Sequence, residues 1–168
     1  MNKMKAISML FSATVLAVAA SSASAEVFEK YPGTLCHEDR AGEDVNVRHI
    51  YGGALFSDAA SWTSVNCPLT RKTGTGLLTE YTDATIYVKD LSTLGDIDCT
   101  IMNRSVLGSL GTWTSVTSTG VDTASYGQIL SFGAEATGGF AGYSYLRCYL
   151  PPSDTGEYTQ ITDYTITY

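Results

Sequence analysis

The chain has 168 residues and carries 17 acidic side chains against 10 basic ones, for a formal net charge of −7. A length of this order holds one hydrophobic core rather than several. The acidity repels a phosphate backbone and provides no basic patch for a lipid surface, so neither nucleic acid nor a membrane is expected as a partner.

The first segment, "MNKMKAISMLFSATVLAVAASSASAE", begins with Lys3 and Lys5 and continues as a mostly apolar run from Ala6 to Ala20. It ends in the small residues Ala23-Ser24-Ala25. This is the pattern of a secretory signal, predicted over residues 1–25, with residues 26–168 as the single folded domain. The apolar run is shorter than the roughly 20 residues of a spanning helix. Export is therefore expected, to the medium or the periplasm.

After residue 25 the helical period is nearly absent, and short alternating runs stand between Gly, Asp, Ser and Thr. "VNVRHIY" (45–51) places Val45, Val47, His49 and Tyr51 on one side, and Gly52-Gly53 follows as a turn. "WTSVNCPL" (62–69) aligns Val65, Cys67 and Leu69, and "DATIYVKDL" (83–91) aligns Ala84, Ile86 and Val88. "IDCTIMN" (97–103) aligns Ile97, Cys99 and Ile101. "WTSVTST" (113–119) and "YGQILSF" (126–132) read as two further strands. "YSYLRCYL" (143–150) separates Leu146, Cys148 and Leu150 from Tyr143, Tyr145, Arg147 and Tyr149, and "QITDYTITY" closes the chain. Such spacing predicts an all-β, single-domain antiparallel β-sandwich, with jelly-roll and immunoglobulin-like topologies both open. An outer-membrane barrel is the alternative, since Tyr164, Ile166 and Tyr168 alternate at the C-terminus.

Four cysteines, Cys36, Cys67, Cys99 and Cys148, fall in the exported part. An even number in an oxidising compartment reads as two disulfides rather than reactive thiols. Arg71 and Lys72 near Cys67 would favour a thiolate, but no nucleophile signature surrounds it, and such a thiolate would be captured as a disulfide. Three connectivities are possible. Cys36–Cys67 with Cys99–Cys148 is the favoured one, with the bridges expected to cross from sheet to sheet.

The motifs "YPGTLCHE", "NCPLTR", "TIYVKDLSTLGDIDCTI", "YSYLRCYLPP" and "ITDYTI" occur in that order. The series resembles a group of secreted bacterial proteins of uncharacterised function that share Cys-Pro-Leu-x-Arg and Tyr-Ser-x-x-Cys-x-Leu-Pro. The resemblance runs from Tyr31 to Tyr164 and implies one disulfide-containing β domain. It implies no activity and no catalytic residue.

No catalytic residue and no cofactor are predicted. A serine hydrolase would need a strained nucleophile turn, and "GYSYL" (142–146) lacks the second glycine of that turn. His37 reads as a solvated loop residue and His49 as a partly buried strand residue. Two acidic stretches raise calcium as a candidate: His37, Glu38, Asp39, Glu43 and Asp44, and Asp90, Asp96 and Asp98. Neither has the order of an EF-hand loop, and zinc is disfavoured with two histidines and oxidised thiols, so no metal is assigned. Tyr143, Tyr145 and Tyr149 on the outward side of one strand form a candidate sugar-binding row, since exposed aromatic faces stack on sugar rings. The leading expectation is a non-catalytic module whose partner is a protein or a glycan at the cell surface. Carbohydrate binding and a hydrolase are the alternatives beside the barrel.

Overall fold

The computed structural model describes residues 28–39, 46–69, 83–105, 114–122, 127–133, 142–153 and 157–167. The predicted signal, Glu43, Asp44, Arg71, Lys72 and Trp113 lie outside the described residues. Among the described residues eleven strands form in chain order: β1 (Phe28–Pro32), β2 (His37–Glu38), β3 (Val47–His49), β4 (Leu55–Ser57), β5 (Thr63–Leu69) and β6 (Asp83–Asp90). They continue as β7 (Asp98–Ser105), β8 (Ser115–Thr117), β9 (Gln128–Ser131), β10 (Gly142–Leu150) and β11 (Thr159–Thr167). A 3-10 turn, Gly33–Leu35, links β1 to β2.

The strands make a two-sheet sandwich, which replaces the barrel alternative. The first sheet runs β3-β4-β11-β6-β9, with β1 on β11 beside β4, and the second runs β2-β5-β10-β7-β8. All the pairings are antiparallel. The inner faces hold one apolar core, built from Ile86, Val88, Ile161 and Ile166 on the first sheet and Val65, Ile101, Leu146 and Leu150 on the second. Except for the pairing of Ile161 with Ile166 on one strand, these are the residues that the period-2 pattern selects, because successive side chains in a strand point to opposite faces. Pro68 fits within β5 because β2 flanks β5 only at Val65 and Asn66, so the absent N–H leaves no ladder bond unmade.

Both favoured cysteine pairs form, Cys36–Cys67 and Cys99–Cys148. The expectation that they cross between sheets is corrected. Cys99 and Cys148 face each other directly on the neighbouring strands β7 and β10, with Cα atoms 4.1 Å apart. Cys36 enters β2 and meets Cys67 on β5, next to the His37–Asn66 pair. Both bridges therefore run within the second sheet, at the close spacing of pairs that make no ladder hydrogen bond. Opposed inward-facing cysteines on adjacent strands are already at disulfide distance, whereas opposite sheets stand about 10 Å apart.

Polar side chains tie the two sheets to each other. Tyr164 on β11 stacks on Tyr31 and donates its hydroxyl to the Pro68 carbonyl of the other sheet, at 2.7 Å. Burial, and to a lesser extent the neighbouring Tyr31, keeps this hydroxyl protonated well above the usual tyrosine range. Replacing Tyr164 with phenylalanine is expected to cost about 1 kcal/mol, the net value of one such bond, read by guanidinium unfolding.

A bulge where β11 pairs β6, between Ile161 and Asp163, shifts the register so that Ile161, Tyr164 and Ile166 all face inward. Gly33 sits against this bulge: a Cβ there would lie 2.1 Å from the Ile161 carbonyl oxygen, so only glycine fits. At the β3–β4 turn, Gly52 and Gly53 adopt φ of 113° and 93°, the region glycine reaches without a Cβ penalty.

Candidate functional site

The outer face of the second sheet carries the residues with the most recognition chemistry. Outward positions of β5 and β10 alternate with the core residues, so Asn66, Pro68, Tyr145, Arg147 and Tyr149 share this face. The register sets them in rows. Pro68, Tyr145 and Met102 are neighbours, His37, Asn66, Arg147 and Thr100 form the next row, and Ser64, Tyr149 and Asp98 the next.

A groove of 570 Å³ crosses β2, β5 and β10, lined by His37, Asp39, Asn66, Pro68, Tyr145 and Arg147 among others. Its polar centre is a fixed triangle. Arg147 Nη2 lies 3.0 Å from Asp39 Oδ2, Arg147 Nε donates to Asn66 Oδ1 at 3.2 Å, and Asn66 Nδ2 donates to Asp39 Oδ1 at 2.6 Å. Asp39 itself is anchored by its backbone N–H on the Ser64 carbonyl. The guanidinium also lies 5.6 Å from the Tyr145 ring centroid, a cation–π contact along one face of the strand. A guanidinium fork has five N–H donors, more than Asp39 and Asn66 consume, and Asn66 keeps a second amide proton. The groove thus offers several oriented donors beside an aromatic ring, on rigid strands.

The predicted tyrosine row is corrected in part. Tyr149 is 40% exposed, but Tyr145 is only 9% exposed because Pro68, Met102 and the Arg147 guanidinium crowd it. Tyr145 therefore forms the wall of the groove rather than a free platform. The side chain of Tyr143 lies outside the described residues, although its backbone pairs with Arg104. Trp62, 53% exposed, precedes Ser64 on the same face and lines a second depression of 350 Å³ with Glu38 and Asp39. Its ring covers Gly95, where a Cβ would come within 2.8 Å. Trp62, Tyr149 and Tyr145 thus mark out an aromatic track along β5 and β10. Tyr145 and Tyr149 are four strand positions apart, about 13 Å, longer than one sugar ring.

The other candidates disperse. Ser144 points inward, is buried, and donates its hydroxyl to the Asn103 side-chain carbonyl. Ser144 also borders the groove, but this bond holds its hydroxyl on Asn103, three positions, roughly 10 Å, from Arg147 along β10. Glu38 accepts from the backbone N–H and the amide of Asn46, Asp39 belongs to the arginine triangle, and His37 is an edge-strand residue rather than a loop residue. His49 is exposed at the edge of the other sheet, correcting its expected partial burial, and its ring lies 5.3 Å from that of His37. Asp90 is buried and accepts from Ser92, Ile97 and Ser118, Asp96 accepts from the Gly120 N–H, and Asp98 from Thr117. The described acids of the two stretches, Glu38, Asp39, Asp90, Asp96 and Asp98, therefore serve loop and strand bonding. Among the described residues no three His, Cys, Asp or Glu side chains converge as metal ligands.

Sequence reasoning missed the Asp39–Asn66–Arg147 triangle. Its signal was the outward phase: Asn66 alternates with Val65 and Cys67, and Arg147 with Leu146 and Cys148.

No family model matches the chain, and no curated protein matches it. Among solved structures it is similar to the xylan-binding module CBM15, at 13% identity and a TM-score of 0.53, over 84% of this chain and 96% of that one. It is similar also to the low-affinity xylan-binding module CBM86 from the gut symbiont Roseburia intestinalis, at 12% identity and a TM-score of 0.50, over 83% and 94%. A weaker likeness, 10% identical with a TM-score of 0.48, is to a family two carbohydrate esterase from Cellvibrio japonicus, where 84% of this chain spans 34% of that chain. The likenesses to the two xylan-binding modules bear on the fold alone: a β-sandwich.

Proposed function

We propose that the protein is an exported, non-catalytic carbohydrate-binding module whose ligand lies along the outer face of the second sheet. The observation that carries this reading is the groove itself, an aromatic wall at Tyr145 beside the fixed Asp39–Asn66–Arg147 triangle. Sugar rings present apolar faces edged by hydroxyls; the exposed rings of Tyr149 and Trp62 beside the groove suit the first, and the triangle supplies oriented donors and acceptors for the second. The aromatic track to Tyr149 and Trp62 suits a chain of several sugars rather than a monosaccharide. The net charge of −7, with Asp39 and Glu38 in the groove, favours a neutral polysaccharide over an acidic one. The two disulfides fit an oxidising compartment outside the cytoplasm. The fold likeness to xylan-binding modules makes xylan the first polymer to test.

Affinity electrophoresis on xylan and neutral β-glucans, followed by calorimetry with the matching hexasaccharide, tests the reading. Retention on at least one neutral polysaccharide is expected. Arg147→Ala and Tyr145→Ala should each weaken it by about tenfold to a hundredfold, the range of a charge-assisted bond lost from a site. Retention on none of these polymers, or unchanged retention in both variants, overturns the proposal.

A second reading, a protein-contact module, rests on the opposite face. There Phe28 and Ile129 are 70% and 62% exposed on the first sheet, and Phe28 borders a depression with Lys30, Asp83 and Tyr87. Phe28→Ala and Ile129→Ala leave polysaccharide retention unchanged if this face serves a separate purpose.

A further inference from the structure

The chain contains two histidines, His37 and His49, and the fold brings them together from different sheets. His37 lies on β2, at the edge of the second sheet, paired with Asn66, and His49 lies on β3, at the edge of the first, paired with Leu55. Their ring centroids are 5.3 Å apart with a 36° tilt, and both residues are exposed. The spacing does not depend on a loose loop. The Glu38 carboxylate, next to His37, accepts the backbone N–H of Asn46 at 3.1 Å and its amide at 2.7 Å, so the approach to β3 is pinned to β2.

This distance has a chemical meaning. A zinc or copper ion sits about 2.0–2.1 Å from an imidazole nitrogen, hence about 3.2 Å from the ring centroid, and a tetrahedral angle at the ion separates two such centroids by about 5.2 Å. We propose that His37 and His49 form a two-imidazole site for a divalent transition cation of the zinc and copper class, bridging the edges of the two sheets, with water in the remaining positions. Imidazole suits zinc, copper and nickel rather than calcium or magnesium. The net negative charge raises the local cation concentration around the pair. The site adds to the thiol and acidic-loop chemistry considered from the sequence, and it uses neither. His37 also borders the groove, but the metal chemistry holds whether or not a polysaccharide binds there.

The test uses untagged protein, freed of metal with a chelator that is then removed. Titration with Zn²⁺ is expected to give one ion per molecule with a micromolar Kd. The melting temperature should rise by several degrees when free Zn²⁺ is about 100-fold above Kd, because the ion binds only the folded form. The Cu²⁺ spectrum in electron paramagnetic resonance should show two nitrogen ligands. His37→Gln and His49→Gln should each weaken Zn²⁺ binding by roughly tenfold or more, since even second-shell changes cost that much. Each variant is melted beside the parent in chelator, so that any effect of the substitution itself is separated from the loss of metal. Millimolar or weaker binding, a copper spectrum with fewer than two nitrogens, or a variant that binds as tightly as the parent overturns the site. The spectrum of the unsubstituted protein decides the matter even if a variant misfolds.

Discussion

Replacing Cys99 and Cys148 together with alanine is expected to lower the free energy of unfolding by about 4 kcal/mol. The bridge closes a sequence separation of 49 residues and removes that freedom from the unfolded chain. It also joins β7 to β10, the strand that β5 and β7 both flank in the second sheet. Both cysteines are fully buried, so alanine is the proper replacement, because serine would place two hydroxyls in the core. The Cys36–Cys67 bridge spans 31 residues, and its loss should cost slightly less, since closure entropy grows only with the logarithm of loop length. Guanidinium unfolding of the two double variants checks both values. A loss below about 1 kcal/mol for Cys99→Ala/Cys148→Ala would show that the bridge does not restrain the unfolded chain.

Asp90→Ala is the second large effect, with an expected loss of about 3–4 kcal/mol. Asp90 ends β6 with its side chain fully buried. Its carboxylate accepts from the backbone N–H groups of Ser92 and Ile97 at 3.1 Å and from the Ser118 hydroxyl at 2.7 Å. Its own carbonyl accepts the Asp122 N–H at 2.6 Å. One side chain thereby joins the end of β6 in one sheet to the entry of β7 and the exit of β8 in the other. Alanine leaves these buried donors short of an acceptor, and that desolvation cost is what the measurement reads.

The pH dependence follows from the same burial. Desolvation raises the Asp90 pKa above 3.8, against the lowering effect of its hydrogen bonds, with Asp96 adding a smaller upward push. Between 3.8 and that raised value the folded state binds the proton more readily than the unfolded state. The proton-linked part of the stability from Asp90 is then fully present below 3.8 and is lost as the pH rises through the folded pKa, while its hydrogen bonds remain. Asp90→Asn cannot titrate. The stability of the parent relative to this variant should therefore increase on acidification toward pH 3.8, in parallel denaturant unfolding series. A difference that shrinks on acidification would contradict the raised pKa.

The long strands were legible because their alternation is strict. Ala84, Ile86 and Val88, and Leu146, Cys148 and Leu150, carry their burial in plain sequence. The cysteine pairing was legible too, but its geometry was not, because inward phase alone cannot tell a neighbouring strand from the facing sheet. The end of the chain shows a different limit. In "QITDYTITY" Ile161 and Tyr164 are an odd number of positions apart, so regular pleating cannot bury both, and the bulge that reconciles them leaves no mark in a two-residue period. Strands β2 and β4, of two and three residues, are too short to show a period at all. The site was legible as a face and not as a groove. Outward phase placed Tyr145 and Arg147 together, but the crowding that buries Tyr145 comes from Pro68 and Met102, far away in sequence. Asp39 read as part of an acidic loop because its partners, Asn66 and Arg147, become neighbours only when β2, β5 and β10 pair.

The margins of the two sheets carry a consequence for the protein at high concentration. The outermost strands β2, β3, β8 and β9 are two, three, three and four residues long. The five-residue β1, which also borders the first sheet, carries Lys30 and ends in Pro32. A strand that recruits another copy needs a run of free backbone groups to act as a template, and these margins are too brief, or too charged and proline-ended, to provide one. Among the described residues the long, regular strands β5, β6, β7, β10 and β11 therefore lie inside the sheets, and a high concentration of this domain gives the described edges little backbone on which a second copy could build.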